Sequence, residues 1–202
     1  MKKLHILIDN GHGKETPGKR SPDERLMEWK WNREFAKLLS ERLTELNISN
    51  ELLVEEDKDI SLKNRCDRAN ITYKALKCKN IDTIFISIHV NAAAGSGWHN
   101  ASGFTCYIYT KAGSKSVRLG QIFSKNSKEM KLTGNRSLPG TGYYTANFYV
   151  VKNTLMPAIL CENMFMDNKE DVEFLLSAEG KKKLIQLYEN SILEYMKEYS
   201  YE

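Results

Sequence analysis

Four side chains of this 202-residue chain are of types that hold a metal or move a proton, and they stand where a fold could gather them: His12 in "DNGHG", Glu28 in "RLMEWKW", His89 in "SIHVNA" and Glu162 in "LCENMF". Two neutral imidazole nitrogens and one carboxylate oxygen make the three-ligand set of a catalytic zinc site, with water in the open fourth position. Zinc so held lowers the pKa of that water toward about 7 and polarises an incoming carbonyl, which makes hydrolysis feasible at neutral pH. A spare carboxylate can take the water's proton and return it to a leaving amine. The residue types therefore predict His12, Glu28 and His89 as zinc ligands and Glu162 as the acid–base group. Plainer readings stand beside these. A histidine after a strand is usually a loop residue, Glu28 could complement the positive end of a helix, and Glu162 could pair with a lysine or arginine.

The elements that must position these groups are legible as alternating patterns. Strand-like apolar runs lie at Leu4 to Ile8, Glu51 to Val54, Thr83 to Ile88, Phe104 to Tyr109, Phe148 to Val151 and Ala158 to Cys161. Helical patterns run from about Glu24 to Leu46, Ser61 to Leu76, Ser114 to Lys128 and Ala178 to Tyr199, with a short one near Asp171 to Leu176. The alternation predicts a single α/β domain over residues 1–202, with a central, mostly parallel or mixed sheet of about six strands and helices on both faces. Open sheets of this kind bring the loops leaving their carboxyl ends together at a crevice. His12, His89 and Glu162 each follow a strand-like run. Glu28 comes instead from the first helix, where at about 100° per residue it falls at the centre of the apolar arc of Phe35, Leu39 and Leu46. Glu34, Glu41 and Glu45 point away from that arc. A carboxylate aimed inward without a partner would cost several kcal/mol, and the two imidazoles are available partners.

Composition narrows the function classes. Lys and Arg total 30 against 26 Asp and Glu, a formal charge of +4, and the densest basic run, Lys181 to Lys183, reads as the solvated start of a helix. That argues against nucleic-acid binding, which needs a clustered basic stripe. The cysteines Cys66, Cys78, Cys106 and Cys161 have neither C-x-x-C nor metal-finger spacing and read as free thiols. The opening "MKKLHILIDNGHG" is interrupted by Asp9 after a short apolar run, so it reads as the first strand and not as a signal peptide. No stretch is long enough to insert in a membrane. No Pro/Ser-rich linker leads to an appended binding module. His5 and His99 are given no metal role, and Trp29, Trp31 and Phe35 read as packing.

These residues carry a resemblance. "IDNGHG" (I-D-x-G-H-G), Glu28 followed by Asn32, "SIHVNA" (S-I-H-x-N-A) and "MPAILCENMFMDN" (P-A-x-L-x-E-x-x-F-x-x-N) are similar in kind and order to the zinc-dependent N-acetylmuramoyl-L-alanine amidases of the type 3 class. Arg65, the "RAN" at Arg68 to Asn70 and "GFTCYIY" match more weakly. The resemblance implies a phosphorylase/hydrolase-like α/β fold, Zn2+ on His12, Glu28 and His89, catalysis by Glu162, and cleavage of the amide joining N-acetylmuramic acid to L-alanine in peptidoglycan. Muropeptides are then the partner, in cell-wall lysis or remodelling. The same ligand set would also suit a zinc carboxypeptidase or aminopeptidase, and a non-catalytic peptidoglycan-binding regulator would be expected to lose Glu162 or a ligand. Asn91, Arg136, Tyr143 and Tyr144 are expected to line the substrate groove, the last three from the irregular segment Gly134 to Thr145. The lack of an export signal suggests a phage- or prophage-lysin-like (endolysin) enzyme held in the cytoplasm until release, or export by another route. Asn10, Lys14 and Asn163-Met164 depart from residues usual in the family, so the loop around Glu162 is expected to be shaped differently.

Overall fold

A computed structural model describes residues 2–202. The strands are β1 (Lys3–Asn10), β2 (Ser49–Leu52), β3 (Ile81–Asn91), β4 (Thr105–Tyr109), β5 (Tyr144–Ala146) and β6 (Ala158–Phe165). The helices are α1 (Glu28–Glu45), α2 (Leu62–Lys77), α3 (Ser114–Glu129), α4 (Tyr149–Asn153), α5 (Lys169–Leu176) and α6 (Ala178–Glu198). The strands form one sheet in the order β2-β1-β3-β6-β4-β5. All neighbours are parallel except β4 and β6, which are antiparallel. This is the mixed six-stranded α/β sheet expected, and helices cover both faces.

Strand alternation divides the interior in two. Ile6, Ile8, Ile84, Ile86, Ile88, Ile159 and Cys161 face the larger core, which α1, α3 and α6 close with residues such as Phe35, Leu39, Phe123 and Tyr188. Leu7, Phe85 and Leu160 face the smaller core under α2 and α4, with Cys66, Ala69, Val150 and Val151. Helix α1 buries Trp31, Phe35, Ala36, Leu39 and Leu43 on one side. Trp31 stacks on Phe35 at 4.8 Å and gives its indole N–H to the Leu175 carbonyl at 2.8 Å, so both rings are packing groups, as read. Ser61 caps α2 by accepting from the Asn64 N–H at 3.2 Å, and α2 turns Arg65 inward with Cys66 and Ala69.

Several boundaries differ from expectation. Phe148 to Val151 is not a strand. Helix α4 occupies that stretch and plants Val150 and Val151 in the smaller core, while the fifth strand is the three-residue β5, paired through Tyr107–Tyr144, Ile108–Thr145 and Tyr109–Ala146. Helix α1 begins at Glu28 and not Glu24, because Glu24 is left-handed (φ 61°) in a turn closed by the Ser21 N–H on the Leu26 carbonyl at 2.9 Å. His89 and Glu162 lie within β3 and β6 and not after them. No helix among the described residues is long and apolar enough to cross a membrane.

Candidate metal centre and active site

His12, Glu28 and His89 converge, with one ligand atom from each lying within 4.8 Å of the others. His12 Nε2 is 3.3 Å from Glu28 Oε2, and His89 Nδ1 is 3.2 Å from Glu28 Oε1. The imidazoles meet edge to face at 4.9 Å. Glu28 is 1% exposed, as its place on the apolar arc required, and Glu34, Glu41 and Glu45 are exposed. Its Oε1 also accepts the Val90 N–H at 3.0 Å, but Oε2 is fully covered and receives no hydrogen bond. An orphaned carboxylate oxygen between two imidazoles is what a cation site presents. Neighbouring donors around a tetrahedral zinc with bonds of about 2.0–2.2 Å stand about 3.3 Å apart, so the residues fit the ion that the motifs imply. Burial pushes the Glu28 carboxyl up, but the His12 and His89 imidazoles beside it outweigh that and hold the group well below the carboxylate range. Burial pulls His89 down, and Glu28, with smaller help from Glu162 and Asp9, holds it above its ordinary value.

The turn that carries His12 is fixed from several sides. Gly11 gives its N–H to the Ile88 carbonyl at 2.9 Å, and a Cβ there would lie 2.1 Å from His89 Cε1. Only glycine lets the imidazole come this close. A Cβ on Gly13 would strike the Asp59 backbone N at 2.1 Å. His12 itself is left-handed (φ 63°), a conformation costing about 1–2 kcal/mol for a non-glycine residue. Two guanidiniums stabilise it. Arg65 donates to Asp9 Oδ1 (2.8 Å), the Asn10 carbonyl (2.6 Å), the His12 carbonyl (2.9 Å) and the Ile60 carbonyl (2.7 Å). Arg33 donates to the carbonyls of Asn10 (3.0 Å), His12 (2.8 Å) and Glu56 (3.0 Å). Asp9 Oδ2 accepts from Ser87 Oγ at 2.6 Å, which ties the turn to β3.

Glu162 is the register partner of His89 across the parallel β3–β6 pair. Its residue is half-buried, and its Oε2 is covered and unpaired. Burial raises its carboxyl to about 7, with Glu28 adding to the rise while His89, Lys19 and Arg136 pull the other way. The next residue, Asn163, is fully buried and gives its amide to the His89 carbonyl at 3.0 Å. Met164 is left-handed (φ 61°). The sequence departs at this point from a position often occupied by glycine, and here methionine carries the conformation that glycine would adopt without cost.

The predicted groove residues do not all meet. Asn91 accepts the Ala92 N–H at 2.9 Å, and its Nδ2 is buried without a partner. Arg136 lies with its guanidinium carbon 4.9 Å from the Tyr144 ring centroid and 5.7 Å from that of Phe165. Tyr144 stacks on Tyr107 at 5.2 Å and gives its hydroxyl to the Ser137 carbonyl at 2.6 Å. Tyr143 is a correction: it is 6% exposed and belongs to the larger core, with Gly120 directly beneath its ring, so it packs the fold and lines no groove. His5 bonds Ser49 Oγ at 2.7 Å, away from the centre. Sequence reasoning missed Lys19, whose carbonyl accepts the Glu28 N–H at 2.9 Å and whose charge reaches Glu162. It also missed the work of Arg33, whose partners are backbone carbonyls and leave no sequence signal. A 410 Å³ hollow opens beside the centre, lined by Asp9, Gly11, His12, Asp59, Ile60, Ser61, Leu62, Arg65 and His89. A larger one of 610 Å³, between β2 and α2, holds none of the four chemical residues.

Known proteins resemble this chain in sequence and architecture. The family described as N-acetylmuramoyl-L-alanine amidase matches residues 6–194. The N-acetylmuramoyl-L-alanine amidase CwlM of Bacillus licheniformis is 32% identical over 177 residues, covering 87% of this chain and 62% of that protein. The N-acetylmuramoyl-L-alanine amidase LytC of Bacillus subtilis (strain 168) is 31% identical over 193 residues, covering 94% of this chain and 35% of that protein. The chain thus spans less than two thirds of the length of either relative. The crystal structure of N-acetylmuramoyl-L-alanine amidase from Clostridium difficile 630 superposes with a TM-score of 0.81 at 25% identity, covering 96% of this chain and 97% of that one. With nearly its whole length matched, the chain belongs to the N-acetylmuramoyl-L-alanine amidase family.

Proposed function

We propose that this chain hydrolyses the amide between the lactyl group of N-acetylmuramic acid and L-alanine in peptidoglycan, as one catalytic domain that uses zinc. The observation that carries the reading is the buried Glu28 carboxylate, orphaned at Oε2 between His12 and His89, with Glu162 beside His89 on the neighbouring strand. His12, Glu28 and His89 would hold the ion. When bound, zinc supplies Lewis acidity to the lactyl carbonyl and acidifies water. Glu28 sets the charge of the centre, and its pairing orients both imidazoles. Glu162, its carboxyl raised to about 7, is poised to take a proton from water and to deliver it to the alanine nitrogen as the amide breaks. The stiff His12 turn and the paired strands fix donor and acceptor before substrate arrives, and that pre-organisation lowers the barrier.

The test is release of stem peptides from purified sacculi, followed by mass spectrometry of the products. An amidase frees intact stem peptide from glycan, whereas a carboxypeptidase or aminopeptidase trims residues from the peptide. Activity retained in Glu162→Gln, or in protein stripped of metal, would overturn the reading.

A further inference from the structure

Arg136 is the exception among the arginines. The chain has eight. Arg20, Arg25, Arg42, Arg65, Arg68 and Arg118 each pair with a carboxylate. Arg33 is spent on backbone carbonyls. Arg136 has neither kind of partner among the described residues, only a long 3.4 Å bond to the Tyr107 hydroxyl. Ring faces hold it instead. Its guanidinium lies against Tyr144 and Phe165, and Tyr144 is itself fixed by its stack on Tyr107 and its bond to Ser137. Such packing sets the position of an arginine while leaving its in-plane N–H fork free for another acceptor. The placement is near the chemistry: Phe165 lies on the same strand as Glu162, and the Arg136 charge is felt at the Glu162 carboxyl. Glu162 stays beyond ion-pair distance of Arg136, so the fork is not committed to it.

We propose that Arg136 receives a carboxylate of the stem peptide, the one nearest the scissile amide on its peptide side, and so selects substrates in which that group is a free acid over those in which it is a carboxamide. The inference rests on the amidase reading. A planar guanidinium matches a carboxylate through two parallel hydrogen bonds, and a neutral carboxamide cannot accept both. Docking there would anchor the peptide so that its alanine nitrogen is presented to Glu162.

The experiment compares two synthetic N-acetylmuramoyl-L-alanyl peptides that differ only in that group, free acid against primary amide, using the zinc-loaded full chain. The wild-type protein is expected to favour the acid by about tenfold in kcat/KM, through KM, as for an interaction present in both ground and transition states. Arg136→Gln should cost the acid substrate about that factor more than it costs the amide substrate, which erases the preference. Arg136→Lys should restore part of it, because the charge remains while the fork is lost. Equal cleavage of both substrates by the wild-type protein would overturn the proposal while leaving the amidase reading intact. So would a preference that survives Arg136→Gln, or an equal fall on both substrates with a displaced pH profile, which would mean that Arg136 acts only through Glu162. A wild-type protein that cleaves neither substrate overturns the amidase reading and this inference together.

Discussion

The turn that carries His12 and the loop that carries Arg136, assigned to one site by the two proposals, are built in opposite ways. In the first, the carbonyls of Asn10, Gly11 and His12 accept from Arg33, Arg65 and Asn32, and Asp9 is held by Arg65 and Ser87 in the interior. In the second, Arg136 rests on ring faces with one long hydrogen bond, and its loop is stitched by surface contacts such as Asn135 Nδ2 to the Asn100 carbonyl at 2.6 Å. The difference suits what each is proposed to do. Ligands of an ion have to be held within about 0.5 Å, which takes many directional bonds and locked rotamers. A group that receives a jointed substrate does better on a platform that fixes its position without spending its donors.

The comparison can be broken most directly at the centre itself. Glu28→Gln removes a proposed ligand and leaves two imidazoles without their counter-charge. Zinc affinity should fall by more than the 10- to 100-fold that loss of a merely supporting group costs, with activity falling alongside, as read by elemental analysis and peptide release. Glu162→Gln should lower kcat by about 10²- to 10⁴-fold while zinc content stays stoichiometric. Loss of metal in that variant would show that the two roles are not separate. Arg65→Met strands the buried Asp9 carboxylate, and denaturant melts should give a loss of about 3–5 kcal/mol. A loss below about 1 kcal/mol, the worth of an exposed pair, would mean that the turn does not depend on this arginine.

Finer effects separate the two regions further. Gly11→Ala drives a Cβ into the His89 ring and should weaken zinc by about 10- to 100-fold. Gly140→Ala, in the Arg136 loop, meets nothing within 4 Å and should leave zinc affinity unchanged. Equal zinc affinity in the two variants would erase the contrast. Metal should also reverse the response to pH. Without zinc, the His89–Glu28 pair stabilises fully below the ordinary histidine value of 6.5 and is lost as pH rises through the raised value in the fold. Glu162 acts in the same sense, its contribution present below 4.5 and lost through about 7. Melting temperatures of metal-stripped protein should therefore fall as pH rises from about 4.5 through about 7 and on through the raised His89 value. Zinc binds neutral imidazole, so the stabilisation it adds grows over the same range, and the two sets of melting temperatures should diverge. Parallel trends would remove His89 from the ligand set.

Much of this organisation was readable from residue types, and the limits have physical causes. The apolar runs of β1, β3 and β6 mark strands buried on both faces, and the arc of α1 placed Glu28 inside without any contact being known. The boundaries at His89 and Glu162 were read short because polar residues at a strand's carboxyl end resemble a loop, although their backbones remain in the ladder. β5 is too short to show a period, and the β-branched pair Val150 and Val151, strand-like in isolation, is helical because the smaller core needs both side chains on one face. Tyr143 was misplaced because it lies just before β5, where its ring turns into the larger core while the Tyr144 ring stacks on Tyr107. Arg65 could be matched to a motif, but its work on Asp9 and the His12 carbonyl depends on the approach of α2 to the end of β1, which no local pattern encodes.

The order of the sheet has a consequence for the newly made chain. β6 lies between β3 and β4, although it is the last strand to be synthesised. A growing polypeptide possesses His12, Glu28 and His89 when fewer than half of its residues have been joined, yet β4 and β5 have no place beside β3 until β6 slots between them. The same insertion brings in Glu162. On the proposed roles, the three side chains that would hold the ion are therefore all synthesised before the strand that carries the acid–base group.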